Sequence, residues 1–144
     1  MSNKLIAETQ ITIDAPVAEV WRAITTAETV KKYLFGTSVK TDWKEGSPII
    51  YTGEYEGKKY EDKGIIQKIE KNKVFQSTYW SSMGGKENMP ENYNVVTYTL
   101  KEEDGKTMVT LTQDNVKDEE EKEHAAGNWK MVLTKLKEVV ENNG

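Results

Sequence analysis

The sequence contains no cysteine and only one histidine, His124. Without cysteine, disulfides, thiolate nucleophiles and iron–sulfur clusters are excluded. A zinc site needs three or four histidine, cysteine or carboxylate ligands in a suitable cluster, and the sequence shows no such spacing. The GxSxG motif, which places a serine nucleophile on a sharp turn, is also missing. We therefore expect no metal and no cofactor, and we assign no catalytic residue.

Blocks of basic residues and long apolar runs are absent as well. The net charge is −4 at pH 7, and lysine and arginine are not clustered as phosphate-backbone binding requires. No segment approaches the ~20 apolar residues that span a bilayer, and the N-terminal stretch lacks the apolar core of a signal peptide. We expect a cytoplasmic protein that binds no nucleic acid and does not insert into membranes. The length of 144 residues predicts a single domain over residues 1–144.

The first part of the chain predicts one strand and two short helices. Residues 4–13 alternate between apolar and polar toward their end, which is typical of a strand. Pro16 suits a first helical turn, and Asp14 is the expected helix cap. The apolar residues that follow have helical spacing: Val17, Val20, Trp21 and Ile24. A second helix is expected over residues 26–35, with Gly36 ending it.

The middle of the chain predicts an antiparallel sheet, because short runs rich in Ile, Val, Thr and Tyr alternate with turn signals. We expect strands over six ranges: 38–43, 48–55, 60–70, 73–80, 93–101 and 106–113. The stretches YEGKKY and EEDGKT indicate hairpin turns, the second through its Asp-Gly pair. The last 25 residues, opened by the acidic DEEEKE, predict one long helix. Its apolar stripe should cover one face of the sheet, which makes the fold class α+β.

The aromatic residues are the main functional signal. Several of them are expected to converge between the sheet and the long helix, where an apolar cavity with a few polar groups is a typical small-ligand site. A glycine inside a helix costs about 1 kcal/mol relative to alanine, so we interpret Gly127 as the residue that keeps this cavity open. The predicted ligand-binding residues comprise the walls of the cavity and its polar groups: Tyr51, Tyr55, Trp80, Tyr98, Gln113, Asn128, Trp129 and Leu133.

Acidic residues are numerous, but most belong to charged runs that face solvent. Glu54 and Glu61 are the two acids considered for an inward position on a strand. The neighbouring Lys58, Lys59 and Lys63 instead predict an exposed hairpin. No acid is therefore assigned as a general acid or base.

Three segments resemble a known family: ITIDAPVAEVWRAITTAETVKKYL, PENYNVVTYTL and GNWKMVLTKLKEVV. The first is similar to the opening strand and helices of the START-like (SRPBCC, helix-grip) superfamily. The other two resemble its activator of heat-shock-protein-90 ATPase homologue-like branch, whose last helix typically reads GW…L..L. Trp129, Leu133 and Leu136 stand at those relative positions. Gly127 lies one residue further from the tryptophan than in that pattern.

The resemblance implies a helix-grip fold, in which a curved antiparallel sheet of about six or seven strands, two short helices and one long C-terminal helix enclose a hydrophobic cavity. It also implies binding of a small hydrophobic ligand of lipid, polyketide or polycyclic aromatic type, which is the leading hypothesis, without catalysis. Two alternatives remain open. One is a co-chaperone-like protein whose partner is a chaperone, and the other is a cyclase- or hydrolase-type enzyme that acts in the same cavity.

Overall fold

The computed structural model describes residues 5–34, 36–81, 87, 89 and 92–142. Within these ranges the predicted order of elements is confirmed, and their bounds differ from the prediction by a few residues at most. The elements are β1 Leu5–Ile13, α1 Val17–Ile24, α2 Ala27–Tyr33, β2 Ser38–Thr41, β3 Pro48–Tyr55, β4 Lys58–Glu70, β5 Val74–Tyr79, β6 Asn94–Glu103, β7 Lys106–Val116 and α3 Glu119–Glu141.

The strands form one antiparallel, curved sheet in the order β1-β7-β6-β5-β4-β3-β2. Two of its hairpins turn through pairs of residues with positive φ, Glu56-Gly57 (50° and 81°) and Asp104-Gly105 (53° and 78°). Positive φ at both central positions is the type I′ geometry, whose twist matches that of the flanking strands. Both predicted hairpin turns are therefore confirmed. The three helices and this sheet form the expected helix-grip architecture.

The start of α1 differs from the prediction. Asp14 does not cap the helix, because the helix begins at Val17 and Pro16 occupies the cap position without a side-chain hydrogen bond. The Val17 N–H instead donates to Glu102 Oε1 of β6 over 2.7 Å. The Asp14 N–H donates to Glu141 Oε2 at the end of α3 over 2.8 Å. The first helix is thus capped from the sheet by a residue distant in sequence.

The hydrophobic core lies where α3 crosses the concave face of the sheet and meets α1. The helix begins with Asp118, whose Oδ1 accepts a hydrogen bond from the Glu121 N–H over 2.9 Å, as an N-cap residue should. The predicted apolar stripe is confirmed, since its buried members are Ala125, Val132, Leu133, Leu136 and Val140. Leu133 and Leu136 are both 0% exposed and belong to the same core cluster as Val20 and Ile24 of α1.

Two lysines of α3 fasten the helix to β1, the strand at one edge of the sheet. Lys130 Nζ donates to the Gln10 carbonyl over 2.6 Å, and Lys137 Nζ donates to the Thr12 carbonyl over 3.1 Å. Carbonyls on an edge strand are free to pair with another chain unless the fold covers them. These two contacts both orient α3 and protect that edge.

Two glycines differ in what surrounds them. Gly64 is buried in β4, and a Cβ added there would lie 1.7 Å from the Thr78 carbonyl oxygen. Gly127 is exposed in α3, and an added Cβ would meet nothing within 4 Å. The expectation that Gly127 keeps a cavity open is therefore wrong, because its missing side chain would point into solvent. A glycine is therefore required in β4, at Gly64, and not in α3.

We predict that alanine at these two positions changes stability in opposite directions. Gly64→Ala should lower the free energy of unfolding by about 1–3 kcal/mol or more, because the backbone of β5 must move to admit the methyl group. Gly127→Ala should raise it by about 0.5–1 kcal/mol through better helix propensity. Urea unfolding followed by circular dichroism measures both. A stable Gly64→Ala protein would contradict the close approach of β4 and β5.

Candidate functional site

A cavity of about 290 Å³ lies beside the core, between the concave face of the sheet, the end of α2 and α3. Its volume is at the lower end of the range of ~300–1,000 Å³ typical of small-molecule sites. Strands β3 to β6 provide most of the wall, because alternate residues of each strand point to this face. The lining residues are Leu34, Thr37, Tyr51, Tyr60, Asp62, Ser77, Tyr79, Ser81, Val96, Tyr98 and Trp129.

The hairpin of β3 and β4 forms one wall, and its register decides which side chains enter the cavity. Tyr51 pairs with Asp62, and Gly53 pairs with Tyr60. A Cβ added to Gly53 would lie 2.3 Å from the Tyr60 hydroxyl oxygen, so the phenol ring crosses directly over the glycine. The same hydroxyl lies 2.6 Å from Thr37 Oγ1. Gly53 therefore allows Tyr60 to close this side of the cavity against the segment after α2.

The polar end of the cavity is built around Asp62, which is only 7% exposed. Its Oδ2 accepts a hydrogen bond from the Tyr79 hydroxyl over 2.6 Å. The Tyr79 ring meets the Tyr51 ring edge-on, with ring centroids 5.9 Å apart. Among the described lining residues Asp62 is the single acid, and none is a lysine, arginine or histidine. The cavity thus combines aromatic walls with one carboxyl group.

Four tyrosines near the cavity are held in the neutral form. Burial raises the pKa of Tyr33, Tyr51, Tyr79 and Tyr98 well above the ordinary value of 10.0. Desolvation is the largest cause in each case, because the phenolate would lose its hydration. The charge of Asp62 further raises the pKa of Tyr51 and Tyr79. At neutral pH these hydroxyls therefore serve as hydrogen-bond donors and acceptors, not as charged groups.

Trp129 of α3 forms the opposite wall. Its indole Nε1–H donates to Gln113 Oε1 of β7 over 2.6 Å. Its ring meets Tyr98 edge-on at a centroid distance of 6.4 Å and an angle of 81°. Tyr98 in turn lies 6.1 Å from Phe75 between ring centroids. The hydrogen bond and the aromatic contacts fix the orientation of the tryptophan, so this wall has a defined shape.

The structure brings together half of the residues predicted for this site. Tyr51, Tyr98 and Trp129 line the cavity, and Gln113 lies directly behind Trp129 as its hydrogen-bond acceptor. Leu133 is fully buried in the core and does not line the cavity.

The remaining predicted residues lie elsewhere. Asn128 is exposed on α3. Trp80 follows Tyr79 directly, so its side chain points to the outer face of the sheet, where it stacks on Tyr93 at a centroid distance of 6.5 Å. The side chain of Tyr55 lies outside the described residues.

Sequence reasoning missed eight of the described lining residues, and Tyr60, Asp62 and Tyr79 are the ones among them that carry the polar contacts described above. A signal for Asp62 was present, because the turn at Glu56-Gly57 sets the register of the hairpin and pairs this residue with an inward tyrosine. The two acids that the sequence did single out, Glu54 and Glu61, are exposed, as the surrounding lysines predicted.

A second cavity, of about 480 Å³, lies on the outer face of the sheet. It is lined by Pro48, Ile50, Lys63, Gly64, Ile65, Thr78 and Tyr93. Ile65 is 51% exposed, so this feature is a groove open to solvent. The cavity on the concave face is the better candidate for a ligand site, because buried aromatic side chains and a few polar groups converge on it.

Neither a metal cluster nor a membrane span is found in the described part of the chain. No group of three histidine, aspartate or glutamate side chains converges there as metal binding would require, and His124 is exposed. Of the helices described, none has the length and apolar composition needed to cross a bilayer.

Comparison with known proteins identifies relatives along almost the whole chain. The model of the family described as Activator of Hsp90 ATPase homolog 1-like protein matches residues 14–141. The solution structure of ChR145 from Cytophaga hutchinsonii shares 45% sequence identity, with a TM-score of 0.86 over 99% of this chain and 98% of that chain. No curated protein matches significantly.

Two more distant structures share the fold. The Aha1 dimer from Colwellia psychrerythraea is 21% identical, with a TM-score of 0.75 over 95% of this chain and 96% of that chain. DynU16, a protein of the dynemicin biosynthetic locus, is 16% identical, with a TM-score of 0.80 over 96% of this chain and 48% of that chain.

We predict that the protein loses stability as the pH rises above about 10. Unfolded tyrosines release their protons there, whereas Tyr33 and Tyr98 keep theirs in the fold, so the unfolded state is favoured by about 1.4 kcal/mol per pH unit for each such residue. Below pH 10 this contribution to stability is fully present. Urea unfolding between pH 8 and about 11 measures the slope, and Tyr98→Phe should make it shallower. Equal slopes for the two proteins would contradict the assignment.

Proposed function

The chain belongs to the activator of Hsp90 ATPase homolog 1-like family, and on this premise we propose that it binds a small, largely apolar ligand of lipid, polyketide or polycyclic aromatic type. The site is the cavity between the concave face of the sheet and α3. The observation that carries the proposal is the space of about 290 Å³ beside a well-packed core, with buried tyrosines and a buried carboxyl group in its wall. The protein's own side chains fill the neighbouring core but leave this space empty, so a small molecule can occupy it.

Burial of apolar surface would drive binding. Leu34, Val96 and the aromatic rings form the greater part of the wall, and each square ångström of apolar ligand surface removed from water contributes about 25 cal/mol before the entropic cost of association. The polar groups of the wall already have partners, as in the contacts of Tyr79 with Asp62 and of Tyr60 with Thr37. The cavity is therefore preformed, which lowers the cost of ordering it around a ligand.

The relatives support this choice in a limited way. DynU16, which has this fold, is a protein of the dynemicin biosynthetic locus. Since the identity is 16% and less than half of that chain is covered, the likeness concerns the fold. The case for this chain rests on its own cavity.

We predict that a bulky residue at position 77 prevents binding. Ser77 is 5% exposed and lines the cavity from β5, so Ser77→Leu replaces a small hydroxyl group by a branched aliphatic group inside the space. Ser77→Leu should weaken binding of the probe 2-naphthol about tenfold or more, whereas Ser77→Ala should stay within about twofold of the original protein. Isothermal titration calorimetry measures the three dissociation constants.

The alanine variant is the matched control, because it removes the hydroxyl without filling the space. Circular dichroism and the unfolding midpoint establish that both variants are folded. Equal affinity of a folded Ser77→Leu protein would show that the probe binds elsewhere. If the original protein neither binds 2-naphthol nor carries a small molecule in native mass spectrometry, the proposed function is wrong.

Interaction with a chaperone is a second candidate, favoured by the family description and by the Aha1 structure. Such an interaction would use the outer surface of the protein, so it should not depend on an empty cavity. We predict that the chain leaves the ATPase rate of a purified bacterial Hsp90 homologue unchanged. Stimulation of that rate by both the original protein and Ser77→Leu would favour the chaperone function over the ligand-binding function.

A further inference from the structure

We propose that the cavity selects an aromatic ligand whose polar group is a neutral or cationic hydrogen-bond donor, such as a phenolic hydroxyl or an amine, and rejects carboxylates and phosphates. This inference rests on the proposed ligand-binding function and narrows its ligand class. The apolar walls alone would accept phenols, amines, fatty acids and phospholipids alike. The inference limits the ligand to phenols and amines, because fatty acids and phospholipids carry an anionic group.

The first argument is the position of Asp62. Its side chain enters the cavity from β4, opposite Tyr51 in the register and in contact with the Tyr79 hydroxyl. A carboxylate in such a place offers acceptor atoms, and hydrogen bonds between a charged acceptor and a donor are about twice as strong as neutral ones. A carboxylate has about four acceptor positions, so a ligand hydroxyl or ammonium group can bond to Asp62 in addition to its existing partners.

The second argument is the absence of positive charge from the described wall. No lysine, arginine or histidine is among the described lining residues. An anionic group placed in the cavity would lose its hydration without gaining a cation from this wall, and burying an unpaired charge is strongly unfavourable. It would also face the carboxylate of Asp62.

The pKa values of two lining tyrosines reflect the negative charge of Asp62. The charge of Asp62 contributes to the raised pKa of both Tyr51 and Tyr79, so it already disfavours a negative charge on either of these lining side chains. A ligand anion between the same walls would experience the same repulsion.

The third argument concerns the apolar part of the ligand. Tyr51, Tyr98 and Trp129 surround the space with aromatic rings, two of which already meet edge-on. Aromatic rings gain from edge-to-face and offset contacts beyond the burial of their area. A planar aromatic body therefore suits these walls better than a flexible acyl chain, which would also lose more conformational entropy on binding.

The test uses one apolar body with four different polar groups: 2-naphthol, 2-naphthylmethylamine, 2-naphthoate and 2-methoxynaphthalene. Calorimetric titration at pH 7 gives four dissociation constants. We expect 2-naphthol and the amine to bind about tenfold or more tightly than 2-naphthoate. The methoxy compound, which has no donor and no charge, should fall between them.

Two variants of adjacent residues test the role of the carboxylate. Asp62→Asn keeps the size of the side chain and removes its charge, so the preference for 2-naphthol over 2-naphthoate should fall about threefold or more, while the cost of desolvating the ligand carboxylate remains. Glu61→Gln is the matched control, because Glu61 carries the same charge on the same strand but is exposed and lies 3.5 Å from Lys63. Its ranking of the four compounds should equal that of the original protein.

The outcomes separate the inference from the function on which it rests. If none of the four compounds binds, the proposed function fails and the inference fails with it. If they bind with equal affinity, or 2-naphthoate binds best, the inference alone is overturned. A folded Asp62→Asn protein that keeps the original ratio of the 2-naphthol and 2-naphthoate affinities also overturns it. If Asp62→Asn does not fold, the ranking by the original protein decides.

Discussion

The position of α3 across the concave face determines where the core ends and where the cavity begins. The helix packs along β1 and β7, and two lysines hold it to the edge of the sheet. Leu133 and Leu136 are completely buried on that side. One turn earlier, Trp129 bonds to Gln113 and faces the cavity instead. The same apolar stripe therefore forms core at Leu133 and Leu136 and contributes to the cavity wall at Trp129.

The cavity persists because its walls support one another. Large rings on neighbouring strands meet at fixed angles, as Tyr51 and Tyr79 do, and cannot fill the space without leaving these contacts. The Tyr79 hydroxyl donates to Asp62, and the Tyr60 hydroxyl is hydrogen-bonded to Thr37. Burial of an unpaired hydroxyl or carboxylate would be costly, so pairing these groups removes the main penalty of the polar end. Collapse would break those pairs, and this cost opposes closure of the cavity.

The sequence predicted the fold well because its signals are local. Alternating apolar and polar residues predicted the strands, the glycine-containing turns predicted the hairpins, and the apolar stripe predicted α3. The site was predicted less well because it depends on which face each strand residue takes. Phe75 and Tyr79 point to the concave face, whereas Trp80 points to the outer face. The prediction named Trp80 as a cavity residue, but its neighbour Tyr79 is the one that lines the cavity. The role assumed for Gly127 depended on which side of α3 faces the cavity. That is decided by tertiary packing, which the spacing of residues along the sequence does not reveal.

Core residues and cavity residues lie in different parts of the sequence, which explains why family membership identifies the fold more firmly than the ligand. The segments that carry the family resemblance contribute mainly to the core, and Leu133 and Leu136 are examples. The residues that give the cavity its chemistry lie between those segments, on β3, β4 and β5: Tyr51, Tyr60, Asp62, Ser77 and Tyr79. Substitution there alters the polarity of the site without disturbing the packing of α3. A relative with the same fold and a different residue at the position of Asp62 should therefore prefer a different ligand charge, because the wall of this cavity contributes no other acidic group among its described residues.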